Sequence, residues 1–349
     1  MPGGLALSVT LLGTIMAATT GIIGASVVMI SLMAFPAMLS ANYEKPFTSG
    51  TIAAAGTLGI LIPPSIMLVI MGDLLSISVT DLFMTALMPG LMLAVFYMIF
   101  IIISNSHKVA LHSPEKIDID ASLFEILNGF LPAVILIALV LGSIFAGLAT
   151  PTEAAGVGAF GALLLAIIKR KIDFKTLWKT CDHTINTSGM IFGIFVGATA
   201  FSYVFRSLGG DDLIIHFMNG FSGGPWLLIG VLMIIVFLLG FFFDWIEITL
   251  IVLPIFAPIL SGLELSGHID TVNILPWFAV LVAINLQTSL LTPPFGFALF
   301  YMKGVAPSSI RMNDIYKGVI PYIIIQLIGL ILVMIFPAIA LWLPTYLNQ

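Results

Sequence analysis

The sequence holds 349 residues, 60% hydrophobic and only 8% charged, with a mean hydropathy of +1.18. Soluble domains carry about a quarter charged residues, so a soluble globular protein is excluded. The formal charge of −5, from 17 acidic and 12 basic residues, leaves no basic excess to hold nucleic acid.

At about 20 residues per span, the chain has room for on the order of ten crossing or half-crossing segments. The lone cysteine, Cys181, cannot form an internal disulfide and reads as an inert thiol. No Cys-x-x-Cys, His-Glu-x-x-His, Walker A or Gly-x-Ser-x-Gly pattern occurs, so a metal cluster, ATP-driven pumping and standard hydrolysis lack support, and the chain reads as no enzyme.

The first basic residue is Lys45, so the charged start of a signal peptide is missing. The chain enters apolar sequence at once, which predicts that it begins inside a longer protein. Apolar stretches follow at 5–40, 50–72, 83–103, 123–147, 154–168, 184–205, 225–261, 274–302 and 318–345. Eleven of the twelve lysines and arginines fall in the gaps 41–49, 104–121, 169–181 and 303–317, which should be cytoplasmic. The other gaps hold only Arg206 among basic residues, alongside Asp73, Asp81, Glu153, Asp211, Asp212, Glu264 and Asp270, and should face outward.

On that assignment, 5–40 begins and ends on the cytoplasmic side and 225–261 begins and ends outside, yet each is too long for one span. Each should enter, turn and leave by the same face. Re-entrant hairpins from opposite faces are what an inverted repeat produces. The residues repeat too: Leu61-Ile62-Pro63-Pro64 is matched by Leu291-Thr292-Pro293-Pro294, and Thr80-Asp81-Leu82-Phe83 by Asn313-Asp314-Ile315-Tyr316, at offsets of 230 and 233. The expected fold is an all-α polytopic membrane protein with an inverted-topology repeat, two re-entrant hairpins and two Pro-Pro-broken helices.

Its expected divisions are a first repeat over 1–103, with hairpin 5–40, broken helix 50–72 and helix 83–103, and a cytoplasmic connector over 104–122. A second repeat covers 123–345, with scaffold or arm helices 123–205, hairpin 225–261, broken helix 274–302 and last helix 318–345.

A proline inside a helix removes a backbone donor and clashes with the carbonyl one turn back, so each double proline should break its helix. Carbonyls freed at membrane depth need partners, which Na⁺ or a proton-carrying network can supply. Around the first break lie Gly56, Thr57, Gly59 and Ser65; around the second lie Gln287, Thr288, Ser289, Thr292 and Gly296. The hairpin tips offer Thr20, Gly21, Gly24 and Ser26 in one case, and Asp244, Glu247 and Thr249 in the other. Asp244 and Glu247 stand out because ionisable groups between apolar runs are costly in hydrocarbon; the bland alternative is a pair capping a helix start. Capping is the expected role of Glu153, which follows Thr150 and Pro151 at helix-start spacing.

Gly156, Gly158, Gly161, Gly193 and Gly197 read as small residues for close helix packing. Trp178, Trp226, Trp277, Trp342 and Tyr346 read as interfacial anchors. His183 and His216 have no ligand partner in register.

Gly21-Ile22-Ile23-Gly24-Ala25-Ser26, Gly59-Ile60-Leu61-Ile62-Pro63-Pro64-Ser65, Ala149-Thr150-Pro151-Thr152-Glu153-Ala154-Ala155 and Leu286-Gln287-Thr288-Ser289-Leu290-Leu291-Thr292-Pro293-Pro294-Phe295-Gly296 together resemble the large membrane subunit (M, DctM-like) of a TRAP (tripartite ATP-independent periplasmic) transporter. The resemblance runs from residue 2 to about residue 340, and Phe243–Ile248 resembles the branch labelled mannitol/chloroaromatic. It implies a secondary importer of small organic acids such as C4-dicarboxylates in the bacterial inner membrane, with Na⁺ as coupling ion and no other cofactor. It further implies a small membrane subunit (Q), a periplasmic substrate-binding protein (P) and an elevator mechanism in which hairpin tips and broken helices move together. Family members carry further N-terminal spans before the Pro-Gly-Gly-Leu found here at Pro2–Leu5. The alternatives are a stand-alone ion or organic-anion exchanger of related two-repeat architecture and, far behind, an intramembrane enzyme using Asp244 and Glu247.

Overall fold

The computed structural model describes residues 3–106, 123–210, 213, 224–263, 265 and 267–347, excepting the side chains at 17–20, 105–106, 123–130 and 258–259. Asp211, Asp212, His216, Glu264 and the part of the expected connector from 107 to 122 lie outside that set. Among the described residues the regular structure is helical throughout. Six helices are long and apolar enough to cross a membrane, and five shorter apolar ones accompany them.

In chain order, α1 (Gly4–Thr20) and α2 (Ile23–Ser40) are joined by Gly21, at φ +60°, and extended Ile22. The left-handed backbone at Gly21 costs an L side chain energy that glycine does not incur. α3 (Lys45–Thr57), with Pro46 in its first turn, runs into a 3-10 turn at Leu58–Ile60, and α4 (Ile66–Leu74) resumes after the prolines. α5 (Val79–Ser106) is a long apolar helix. Then come α6 (Leu123–Phe145), α7 (Pro151–Ile168), α8 (Phe174–Ser207), α9 (Gly224–Leu239) and α10 (Trp245–Ser261). α11 (Thr271–Leu291) and α12 (Phe297–Val305) flank the second double proline, and α13 (Met312–Ile335) and α14 (Ala338–Leu347) complete the chain.

The helices fall into two compact units. One comprises Met1–Ile119, Gly223–Trp245 and Leu260–Gln349; the other comprises Asp120–Ser222 and Ile246–Ile259.

In the first unit α11 is the central helix: every residue from Trp277 to Leu291 is buried. α3 runs along α13, and the two backbones touch at Gly50 and Gly318, where a methyl on either glycine would land on the other helix's backbone. Several polar side chains inside this apolar packing are paired, while Thr48 Oγ1 and Gln326 Oε1 are buried with no hydrogen-bond partner among the described residues. Thr51 donates to the Phe47 carbonyl at 2.9 Å and shares a 2.7 Å bond with the Tyr322 hydroxyl. The Gln326 amide donates to the Tyr97 hydroxyl at 2.7 Å, and the Tyr97 and Tyr322 rings meet edge to face. Buried polar groups of this kind need partners, because no water replaces them.

In the second unit α7 starts with the expected capping box. The Glu153 N–H donates to Thr150 Oγ1, and Glu153 Oε2 accepts from the Thr150 N–H at 2.8 Å. Gly158 and Gly161 approach Val140 and Leu136 of α6, which is the close packing expected of small residues. Gly156, Gly193 and Gly197 have open space where a Cβ would sit, so the packing role assigned to them is corrected. The physical reason is that α8, the helix carrying the last two, buries only Ala198.

Two further corrections concern spans. The stretch 318–345 is two helices, because Pro337 lacks the N–H that would continue α13, and Phe336 turns the chain out of helical geometry. The stretch 184–205 belongs to a helix that starts ten residues earlier, where the Asp173 side chain caps α8 by accepting from the Thr176 N–H at 2.8 Å. Trp277 is likewise no interfacial anchor: it is fully buried, with its indole N–H donating to the Val333 carbonyl at 2.9 Å. Trp178 and Trp342 are exposed.

Candidate functional site

Both double prolines interrupt their helices, and both Pro-Pro bonds are cis. At the first break, Thr57 closes α3, Gly59 lies in the buried 3-10 turn, and Pro63-Pro64 leads to Ser65 and α4. At the second, Thr292 ends α11, Pro293-Pro294 follows, and Gly296, at φ 42°, turns the chain into α12. That left-handed conformation accounts for glycine at this point.

Two interhelical turns lie against the helices that the double prolines interrupt. Gly21 faces Ile66, the first residue of α4, where a Cβ would lie 3.2 Å from the Ile66 side chain. Gly240 faces Ser289 so closely that no Cβ fits, and Phe242 packs against Phe295 with ring centroids 5.5 Å apart. A cross-contact joins the first hairpin to the second broken helix: a Cβ on Gly24 would sit 3.2 Å from the Tyr301 ring of α12. Gly56 brings α3 against Val27 of α2 in the same manner. The structure therefore places Gly21, Gly56, Thr57, Gly59, Pro63 and Ser65 at or beside the first break, Gly24 against the second broken helix, and Ser26 in the first turn of α2. It places Gln287, Thr288, Ser289, Thr292, Pro293 and Gly296 along the second. The Thr20 side chain lies outside the described set.

The hydroxyls share one pattern: each gives its proton to a nearby main-chain carbonyl. Ser26 donates to Ile22, Thr57 to Ala54 and Ser65 to Ile60, at 3.0, 3.0 and 2.6 Å. Thr288 donates to Ile284, Ser289 to Leu286 and Thr292 to Thr288, at 2.8, 2.9 and 2.7 Å. A hydroxyl committed as donor keeps its oxygen lone pairs for a positive partner. Gln287 is fully buried; its amide reaches the Tyr97 hydroxyl at 3.5 Å, and its Oε1 has no hydrogen-bond partner among the described residues. Such an orphaned buried oxygen is costly unless something polar or cationic meets it.

Three helices begin at these turns, α2 at Ile22, α4 at Ser65 and α12 at Gly296, and none has its first N–H groups capped by the N-cap side chain. Their positive ends suit an anion.

The residues of the second hairpin tip divide. Asp244 Oδ1 accepts from the N–H of the next residue, Trp245, at 2.8 Å. Glu247 and Thr249 belong to the second unit; Glu247 Oε2 and Thr249 Oγ1 are buried without a hydrogen-bond partner among the described residues. Among the described residues, no three histidine, cysteine or acidic side chains come together in a way that could hold a metal ion.

Sequence reasoning missed Tyr97, Tyr301, Asn285 and Gln326. Asn285 donates to the Met233 carbonyl at 2.6 Å and ties α9 to α11. The available signal was an uncharged amide inside an apolar run, costly in lipid for the same reason as a charge, though less so.

The chain matches the family described as "Tripartite ATP-independent periplasmic transporter, DctM component" over residues 1–339. It is 31% identical to the C4-dicarboxylate TRAP transporter large permease protein DctM of Pseudomonas aeruginosa, covering 99% of this chain and 79% of that one. It is 30% identical to the 2,3-diketo-L-gulonate TRAP transporter large permease protein YiaN of Escherichia coli, covering 96% and 76%. It is 29% identical to the sialic acid protein SiaM of Vibrio cholerae, covering 88% and 69%. With its apolar helices and a match over almost the whole chain, the protein belongs to the DctM family of membrane-spanning TRAP transporter large permeases.

Proposed function

We propose that the chain forms the substrate- and ion-binding part of a Na⁺-coupled importer of a small organic acid in the bacterial inner membrane. The observation that carries this reading is the contact of two interhelical turns with the helices beside the double prolines, Gly21 on Ile66 and Gly240 on Ser289. Such paired hairpins and broken helices are how inverted-repeat transporters hold ion and substrate near the bilayer midplane. Na⁺ takes hydroxyl and carbonyl oxygens, and Ser65, Thr288, Ser289 and Thr292 present oxygens whose protons are already committed. A carboxylate suits the uncapped starts of α2, α4 and α12. The relatives named above carry three different acids, so the class is proposed and the individual substrate is left open.

In this reading a small membrane subunit and a periplasmic binding protein complete the transporter, and the hairpins travel with the broken helices as an elevator. The test is uptake of candidate acids by the assembled complex in proteoliposomes. Uptake should need an inward Na⁺ gradient and loaded binding protein, and Ser65→Ala or Thr292→Ala should raise the Na⁺ concentration at half-maximal rate about tenfold, the equivalent of one lost ligand. Equal uptake from choline buffer would remove the sodium coupling; uptake without binding protein would favour the stand-alone exchanger.

A further inference from the structure

In α10, Pro258 lies four residues after Pro254. Proline has no N–H, so the Pro254 carbonyl loses the partner that the helix would otherwise supply. That carbonyl instead accepts from Arg206 Nη2, at 2.9 Å. Arg206 sits in the last turn of α8, and both helices contribute these residues to the second unit. It is also the one basic residue in the gaps whose charge pattern predicts an outward face.

Of the residues of α8 only Ala198 is buried within the chain. A charge-assisted bond to an otherwise orphaned carbonyl is among the stronger single ties available to it. Pro254 stands seven residues beyond Glu247 and five beyond Thr249 on the same helix, and a seven-residue step is two helical turns on one face. Both residues turn a buried oxygen toward no hydrogen-bonding partner among the described residues.

We propose that Arg206 is a positioning residue: its guanidinium replaces the backbone donor that Pro258 removes, and so fixes α10 to α8 with Glu247 and Thr249 held in register. The functional half of this rests on the reading of the second hairpin as part of the moving site.

Two measurements on the assembled, membrane-embedded transporter test it. In the first, hydrogen exchange is followed over α10. Arg206→Gln should speed exchange there about tenfold, and Pro258→Ala, which restores a backbone donor to the Pro254 carbonyl, should bring the double variant back to within about twofold of Pro258→Ala alone; these factors correspond to one charge-assisted hydrogen bond. In the second, Arg206→Gln should lower the maximal uptake rate about tenfold with KM unchanged, again with relief by Pro258→Ala.

A merely structural arginine would reduce the amount of folded protein equally in both backgrounds. Unchanged exchange in Arg206→Gln, or a loss that Pro258→Ala does not relieve, overturns the proposal. Faster exchange with undiminished uptake overturns the positioning role. If the exchange results hold but wild-type uptake needs no Na⁺, the function reading fails and the latch stands.

Discussion

Trp277→Phe offers a direct test of how this helix bundle is held together. The indole N–H of Trp277 donates to the Val333 carbonyl at 2.9 Å. Pro337, four residues further on, has no N–H to offer that oxygen. Phenylalanine keeps most of the apolar contact but orphans a buried acceptor, at a cost of about 1–3 kcal/mol. The smaller ring also leaves a gap in a fully buried position, packed edge to face against Trp226 and His268, which adds about 1 kcal/mol. The sum is about 2–4 kcal/mol, whereas Trp178→Phe, at a side chain 70% exposed, should shift stability by less than about 0.5 kcal/mol. Reversible denaturant titration of the purified protein in micelles, read by helical circular dichroism, measures both. Equal shifts for the two variants would refute the argument that Trp277 caps a proline-freed carbonyl.

Gly50→Ala and Gly318→Ala should each prevent accumulation of folded protein, because the added methyl lands on backbone that cannot move aside; the expected cost exceeds about 4 kcal/mol. Gly304→Ala, with open space around it, should be neutral or slightly stabilising, and size-exclusion yield distinguishes the two cases. A pH dependence follows from Asp173, whose carboxyl is held below the ordinary aspartate value of 3.8 by its bonds to Thr176. A depressed folded-state value means that the cap's contribution is complete above the unfolded value and lost as pH falls through the folded one. Protection from exchange at the start of α8, taken relative to the intrinsic amide rate at each pH, should therefore fall in acid in the wild type, while Asp173→Ala should lack that protection at every pH.

The parts of the fold that could be read along the chain are those set by local chemistry. The prolines at 63–64 and 293–294 break their helices because two in succession remove two adjacent backbone donors, whereas single prolines such as Pro36, Pro89 and Pro321 leave their helices continuous. Thr150 with Glu153 forms a capping box because the three-residue spacing is sufficient. Parts that depend on distant partners were not legible. Thr51 meets Tyr322 and Gln326 meets Tyr97 across more than two hundred residues, and nothing local marks such pairs. Trp277 was misjudged because a tryptophan near a span end looks the same in sequence whether it faces lipid or the bundle. The break at Pro337 was missed because an uninterrupted apolar run hides a turn whose freed carbonyls are met by Trp277 and, from the Nε2 of His268 at 3.0 Å, at Met334. At the site, the glycines, hydroxyls and double prolines were legible as types. The contact of the two turns with the helices beside the breaks required the coordinates.

The contact between Gly50 and Gly318 also limits how the protein can move. One turn of helix rises about 5.4 Å, so sliding α3 along α13 by that distance would bring the Cβ of Pro46 or Phe47, or of Ala53 or Ala54, to a seam that admits only hydrogen. Shear between these two helices by a turn is blocked in both directions. Since α3 leads into the first break and α13 follows the second broken helix, any displacement of one must take the other along, as a single rivet forces two plates to travel together.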